Sequence, residues 1–204
     1  MNQPLWMPKR RIEAAFRSAL LRVARGMVRS IDGADDPALI AAALDRFSRS
    51  PEFVRMSEAI ALKMVTGLFD DTGRTWREAA RNNGKGREIY EVLRKELQGT
   101  RGARVRALVR ENAALIKTLP KNIADDVAAY AVREAMKGRR ASDIAEEIQR
   151  MFPEKTRARA ELIARTQVSM AQTDLVRSRA EDLGLDWYAA AIRETAGREP
   201  VTGT

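Results

Sequence analysis

The sequence predicts a nearly all-α fold, a multi-helix elongated bundle joined by short turns, with one candidate short strand near the C-terminus. Three observations predict it. Apolar residues recur at spacings of three and four along most of the chain, which on a helix puts them on one face. Start and stop signals such as Asp36-Pro37, Ser50-Pro51-Glu52, Gly33 and Gly138 fall between these periodic runs. No alternating strand pattern precedes Leu185. The runs divide into a basic helical region over residues 1–100, a second helical region over 101–188 and an irregular tail over 189–204.

The bulk composition narrows the function classes. Of 204 residues, 45% are apolar but only 5% aromatic, so Leu, Ile, Val, Ala and Met must fill most of the core. No run of apolar residues is long enough for a transmembrane helix, and the opening MNQPLWMPKRRIEAAF lacks the apolar segment of a signal peptide. The expectation is a protein made in the cytoplasm, with no membrane partner. Cys and His are both absent. That removes the disulfide, the thiolate nucleophile, the imidazole base and the usual zinc ligands. The chain is therefore expected to be no enzyme and to carry no metal or cofactor.

The net charge of +9 is unevenly spread. Residues 1–30 carry +6, residues 31–80 carry −3, residues 81–110 carry +6, and the remainder balances. The excess in two segments favours a polyanionic partner met by the first half of the chain.

The first helix starts near Pro8, which suits an initial turn. Ile12, Phe16, Leu20, Val23 and Met27 form its apolar face, and Arg11, Arg22, Arg25 and Arg29 fall on the opposite one. That stripe can follow a phosphate backbone, lie on an anionic membrane with Trp6 at the interface, or simply be the solvated back of a core helix. Gly33 ends the helix. Asp36-Pro37 opens a second helix with Leu39, Ile40, Ala43, Leu44 and Phe47, and Ser50-Pro51-Glu52 opens a third with Phe53, Met56, Ile60, Met64 and Leu68. Asp70-Asp71-Thr72-Gly73 reads as a turn. It lacks the ligand alternation and distal Glu of a calcium loop.

A short helix with Trp76 then ends at Asn83-Gly84. GKGREIY lacks the spacing of a phosphate loop and reads as a loop leading into a helix with Ile89, Val92, Leu93 and Leu97. Gln98 to Gly102 marks a second break. The following helix sets Val105, Leu108, Val109, Leu115 and Ile116 against Arg106, Arg110 and Lys117, with Asn112 a buried amide on the apolar side. Leu119-Pro120 ends it and starts another, bearing Ile123, Val127, Tyr130, Ala131 and Glu134 and stopped by Gly138. Ser142 is the expected N-cap of a helix over residues 143–152. Pro153 separates that helix from a long one over residues 159–184. On this last helix Leu162, Thr166, Ser169, Thr173, Val176 and Ala180 form a small, hydroxylated seam for a neighbouring helix. Arg165, one step away, is either a partner or phosphate contact or a partly buried cation paired with Glu161.

Several of these segments together resemble a known family. Trp76-Arg77-Glu78-Ala79-Ala80, Arg87-Glu88-Ile89-Tyr90, Glu111-Asn112, Leu119-Pro120, the Gly138…Ser142…Ile144 turn, Leu162-Ile163-Ala164-Arg165-Thr166 and Leu183-Gly184-Leu185 occur in order over residues 70–188, before the aromatic pair Trp187-Tyr188. This pattern resembles the minor head proteins of tailed phages, the Mu F-like head-morphogenesis family. It departs from the family at Gln167, where an acid is usual, and after Tyr188, where AAAIRETAGREPVTGT stands in place of a β-rich tail.

The resemblance implies a structural virion component inside the capsid at the portal vertex. Its partners would be the portal protein, the major capsid or scaffolding protein, and double-stranded DNA. It would support head assembly and DNA packaging or delivery. It implies a structural or partner-contact role for Leu162, Ile163, Arg165, Thr166 and Trp187. Arg11, Arg22, Arg25, Arg29, Arg106, Arg110 and Lys117 are the candidate DNA or portal contacts. A stand-alone helical protein that binds DNA without sequence preference is the alternative.

Overall fold

The computed structural model describes residues 10–81 and 100–185. Those residues form five α-helices and no strand: α1 (Arg10–Ser30), α2 (Pro37–Arg49), α3 (Pro51–Arg81), α4 (Thr100–Met136) and α5 (Ala141–Asp182). The fold is all-α. The candidate strand after Leu185, the loop at Gly84 and the helix of Ile89 to Leu97 lie outside the described residues, as does Trp187.

Contacts divide the described chain into two compact units. One contains residues 10–13, 64–81, 100–108 and 166–185, and the other residues 14–63 and 109–165.

The larger unit is built on α1. Phe16, Leu20, Val23 and Met27 are buried as their spacing requires. The turn after Ser30 ends at Gly33, whose φ of 75° favours glycine. The side chain of Asp36 then caps α2, accepting from the Ala38 amide at 2.7 Å, with Pro37 at the first helical position. The Ser50 hydroxyl accepts from the Phe53 amide at 3.2 Å at the start of α3. A Cβ on Gly26 would lie 3.2 Å from the Phe47 ring, so α1 and α2 meet at this glycine. Phe47 in turn stacks on Phe53 at a centroid distance of 4.8 Å. Gln149 of α5 donates to the Ala34 carbonyl at 2.6 Å and ties down the α1–α2 turn.

In the smaller unit Met64, Val65, Leu68, Phe69 and Trp76 of α3 are buried, as are Val105 and Leu108 of α4 and Val168, Ala171, Leu175 and Val176 of α5.

Three expected breaks are not breaks. Asp70 to Gly73 continues α3. The Thr72 hydroxyl is turned back onto the Leu68 and Phe69 carbonyls at 2.8 and 3.1 Å, and Asp71 is held by Arg74 at 3.0 Å. The polar groups that make this stretch resemble a turn are thus satisfied inside a helix. Pro120 lies within α4 and Pro153 within α5. An interior proline costs about 3 kcal/mol, but Ile116, Leu119 and Ile123 are buried around the first, and Ile148, Phe152 and Thr156 around the second. Burial of such a group outweighs that cost at roughly 1.5–3 kcal/mol for each large side chain.

Two finer expectations also change. α5 begins at Ala141, and its first backbone bond runs from Ile144 to the Arg140 carbonyl, so Ser142 lies inside the helix rather than capping it. The seam is also misplaced over most of its length. Leu162, Thr166 and Ser169 are exposed, whereas Ala160, Ala164, Val168 and Ala171 are buried on nearly the opposite side, and only Val176 and Ala180 of the expected seam are buried. The ends of α4 and α5 follow expectation. Gly138 and Gly184 adopt φ of 80° and 69° and close the two helices. Asn112 is buried as expected.

Candidate nucleic-acid interface

Within the larger unit, α1 presents Arg22, Arg25 and Arg29 to solvent on the side opposite its buried face. They are three and four residues apart, so about 10 Å of helix axis carries three guanidiniums. Among the described residues no carboxylate lies within ion-pair distance of any of them. The only acid of α1 is Glu13, in its first turn. A guanidinium that is exposed and unpaired is free to take a phosphate oxygen in a bidentate grip.

Burial of the other face bears on the membrane alternative. A helix that lies in a lipid interface must insert its apolar face. Here Leu20, Val23 and Met27 have no exposed surface at all. The largest side chains of the apolar face are therefore not available for insertion into a lipid surface. No described helix is long and apolar enough to cross a membrane.

The remaining candidate contacts differ in availability. Arg110 is exposed on α4 of the same unit. Lys117, two turns further along, is half-buried and donates to Glu58 at 2.7 Å, which compensates its charge. Arg11 and Arg106 are exposed in the smaller unit, Arg11 standing 3.9 Å from the buried carboxylate of Asp71. The α1 trio is the only part of the candidate set in which three exposed cations without a paired carboxylate share one helix face within one unit.

The α5 residues that carry the resemblance point mainly outward. Leu162 is 54% exposed, Arg165 and Thr166 are exposed, Ile163 is half-buried, and Ala164 alone is fully buried. Arg165 is not paired with Glu161; that carboxylate takes Arg157 at 3.2 Å. The expected partly buried ion pair is absent: Arg157 and Arg165 each stand one turn from Glu161, the carboxylate takes Arg157, and Arg165 is exposed.

Sequence reasoning missed two polar clusters. In the larger unit Arg139 donates to Glu147 at 2.5 Å and to Glu134 at 3.1 Å, and Lys137 donates to Glu134 at 2.7 Å. The Lys137 and Arg139 hydrogen bonds hold Glu134 below the usual carboxylate range. Those from Arg139 and Tyr130 hold Glu147 below it as well. The same partners, Glu147 first, raise Arg139 further. Burial, with the Glu147 hydrogen bond, pushes the Tyr130 hydroxyl up. The signal was the Lys-Gly-Arg stop of α4 beside a glutamate one turn back.

In the smaller unit Arg179 is 1% exposed and donates to the Thr72 hydroxyl and, at 2.8 Å, to the Phe69 carbonyl. No local sequence signal distinguishes Arg179 from Arg177 two residues earlier, which is half-exposed and paired with Asp174 at 2.5 Å.

No family model, curated protein or solved structure matches the chain.

Proposed function

We propose that the protein is a structural, DNA-contacting component of a phage head, of the kind its resemblance to the Mu F-like minor head proteins implies, acting at the portal vertex by adhesion rather than by catalysis. The observation that carries the DNA part is the α1 face, where Arg22, Arg25 and Arg29 are exposed and uncompensated while the reverse side is locked in the core. Such a face meets phosphates and reads no bases, because base readout requires side chains placed in a groove. It carries no aromatic residue on which an unpaired base would stack, which favours duplex over single strands. The outward-facing Leu162, Arg165 and Thr166 support a role for that motif in contacts to portal or capsid.

The test is binding to duplex DNA of arbitrary sequence, followed by co-sedimentation with a portal oligomer. The triple variant Arg22→Glu, Arg25→Glu, Arg29→Glu is expected to fold with unchanged helix content and to lose DNA binding. Unchanged DNA affinity in a folded triple variant would sink the DNA reading. DNA binding without portal binding favours the stand-alone DNA-binding alternative.

A further inference from the structure

The larger unit holds a groove between the C-terminal half of α4 and the N-terminal half of α5, with about 80 Å³ of free volume. Ile123 and Val127 of α4 and Ile148 and Phe152 of α5 line its floor. They retain only 3–6% exposure, so the floor is formed by side chains already packed into the core. The volume is far below the roughly 300 Å³ of a small-molecule site and matches a single aliphatic side chain. The lining runs over eight residues of α4 and twelve of α5, about 10–17 Å of helix axis, the length of two to three helical turns.

The rim of the groove is polar and carries excess positive charge. Asp126 pairs with Arg159 at 2.9 Å, but Lys155 has no carboxylate within ion-pair distance among the described residues. Its ammonium lies 5.9 Å from the centroid of the Tyr130 ring, and Arg133 lies at the same distance from that ring. Tyr130 forms one wall, with Lys155 and Arg133 over its ring. Met151, also lining the groove, can adapt its shape to an incoming group. A narrow apolar slot between two helices, short of one negative charge at its rim, has the form of a helix-in-groove site.

We propose that this groove seats an acidic amphipathic helix of a protein partner, with one aliphatic side chain against Val127 and Phe152 and a carboxylate one turn away on Lys155. The charge at the rim selects the occupant. Among the charged residues that line it, Lys155 and Arg159 are cations and Asp126, already paired with Arg159, is the one anion, so a basic helix would be repelled at Lys155. The slot is also separate from the α1 arginines, so partner and DNA are bound through different residues.

The probe is a synthetic helical peptide carrying leucines at i and i+4 and glutamates on the flanking positions. Its binding is read on the methyl resonances of Met151 and Ile148 in the full chain. The expected result is a saturable shift of both methyls. Lys155→Glu, a change at an exposed site that leaves the fold intact, weakens binding at least tenfold, as does replacing the peptide's glutamates by lysines. The α1 triple variant retains peptide binding, so failure of the DNA reading leaves this one standing. Unmoved groove methyls, or equal affinity for the acidic and basic peptides, would overturn the proposal. So would decanoate moving the same methyls where the peptide does not, since that marks a site for a lipid anion.

Discussion

Arg179 of α5 donates to the hydroxyl of Thr72 on α3, 107 residues away, and its guanidinium lies 4.6 Å from the centroid of the Phe69 ring. A second nitrogen of the same fork reaches the Phe69 carbonyl. That carbonyl also accepts from Thr72, so one turn of α3 and one guanidinium are joined by three hydrogen bonds in the buried part of the unit. Removing Arg179 leaves buried acceptors without their donor and opens a cavity the size of its stem. Arg179→Ala is expected to lower stability by about 3–5 kcal/mol. Arg179→Lys is expected to recover less than half of that, because an ammonium cannot reproduce the planar fork or the stacking on Phe69. Urea denaturation of the two variants checks both numbers. A loss under about 1 kcal/mol for the alanine variant would show that the polar set is dispensable.

Arg179 also shows where reading the sequence stops. The two faces of α1, the caps at Asp36 and Ser50 and the stops at Gly33, Gly138 and Gly184 were legible because each depends on residues within one or two turns. Arg179 depends on a threonine in another helix, so its own neighbours carry no trace of its burial. Pro120 and Pro153 were misread for the related reason that packing on both sides overrides a local penalty. In α5 the expected seam and the buried alanines lie on nearly opposite faces over residues 160–171, and both faces carry small residues. Composition could not choose between the two faces, and the contacts of α5 chose the alanine side over residues 160–171. Of the candidate site, the α1 trio was legible from periodicity alone. The groove was not, because it requires that α4 and α5 lie side by side.

Arg165→Ala is expected to change stability by less than about 0.5 kcal/mol, as for other surface substitutions. Arg165 is exposed and its anticipated partner Glu161 is engaged by Arg157. If the α5 motif contacts a partner, this variant separates the two properties, with an unchanged thermal midpoint and weaker co-sedimentation with portal. A fall of several degrees in the midpoint would return Arg165 to a structural role.

Pro153→Ala is expected to stabilise the protein. Proline in a helix interior is about 3 kcal/mol worse than alanine, and the stiffer unfolded chain that proline provides returns at most about 1 kcal/mol. Pro153 is exposed, so the substitution leaves no cavity. The net gain of about 2 kcal/mol corresponds to a rise of roughly 4–8 °C in the midpoint of a chain this size. A lower midpoint would mean that the backbone geometry set by the ring is needed to seat Phe152 and Thr156.

The Arg139 cluster sets an acid limb on stability. Glu134 and Glu147 both titrate below their ordinary range in the folded state, through hydrogen bonds from Lys137 and Arg139. A carboxylate whose folded pKa is depressed contributes fully above its unfolded pKa of about 4.3. That contribution is lost as pH falls through the lower folded value. The thermal midpoint is therefore expected to hold from neutrality to about pH 5 and to fall below it. The double variant Glu134→Gln, Glu147→Gln is expected to start lower and to show a shallower acid limb. Parallel curves for the two proteins would remove these glutamates as its source.

Salt dependence gives the most direct count of phosphate contacts on α1. Each phosphate neutralised on duplex DNA contributes about −0.9 to the slope of log affinity against log salt. Three arginines on one face predict a contribution of about −2.7, or roughly a 40-fold loss of affinity between about 50 and 200 mM salt. Replacing Arg22, Arg25 and Arg29 singly by Gln is expected to reduce the slope by just under one each, equally on unrelated sequences, since none of the three is placed to read a base. Lys117→Gln is expected to leave it unchanged, because Glu58 already balances that ammonium. A slope that drops for Lys117→Gln and not for the α1 variants would move the DNA surface from α1 to α4.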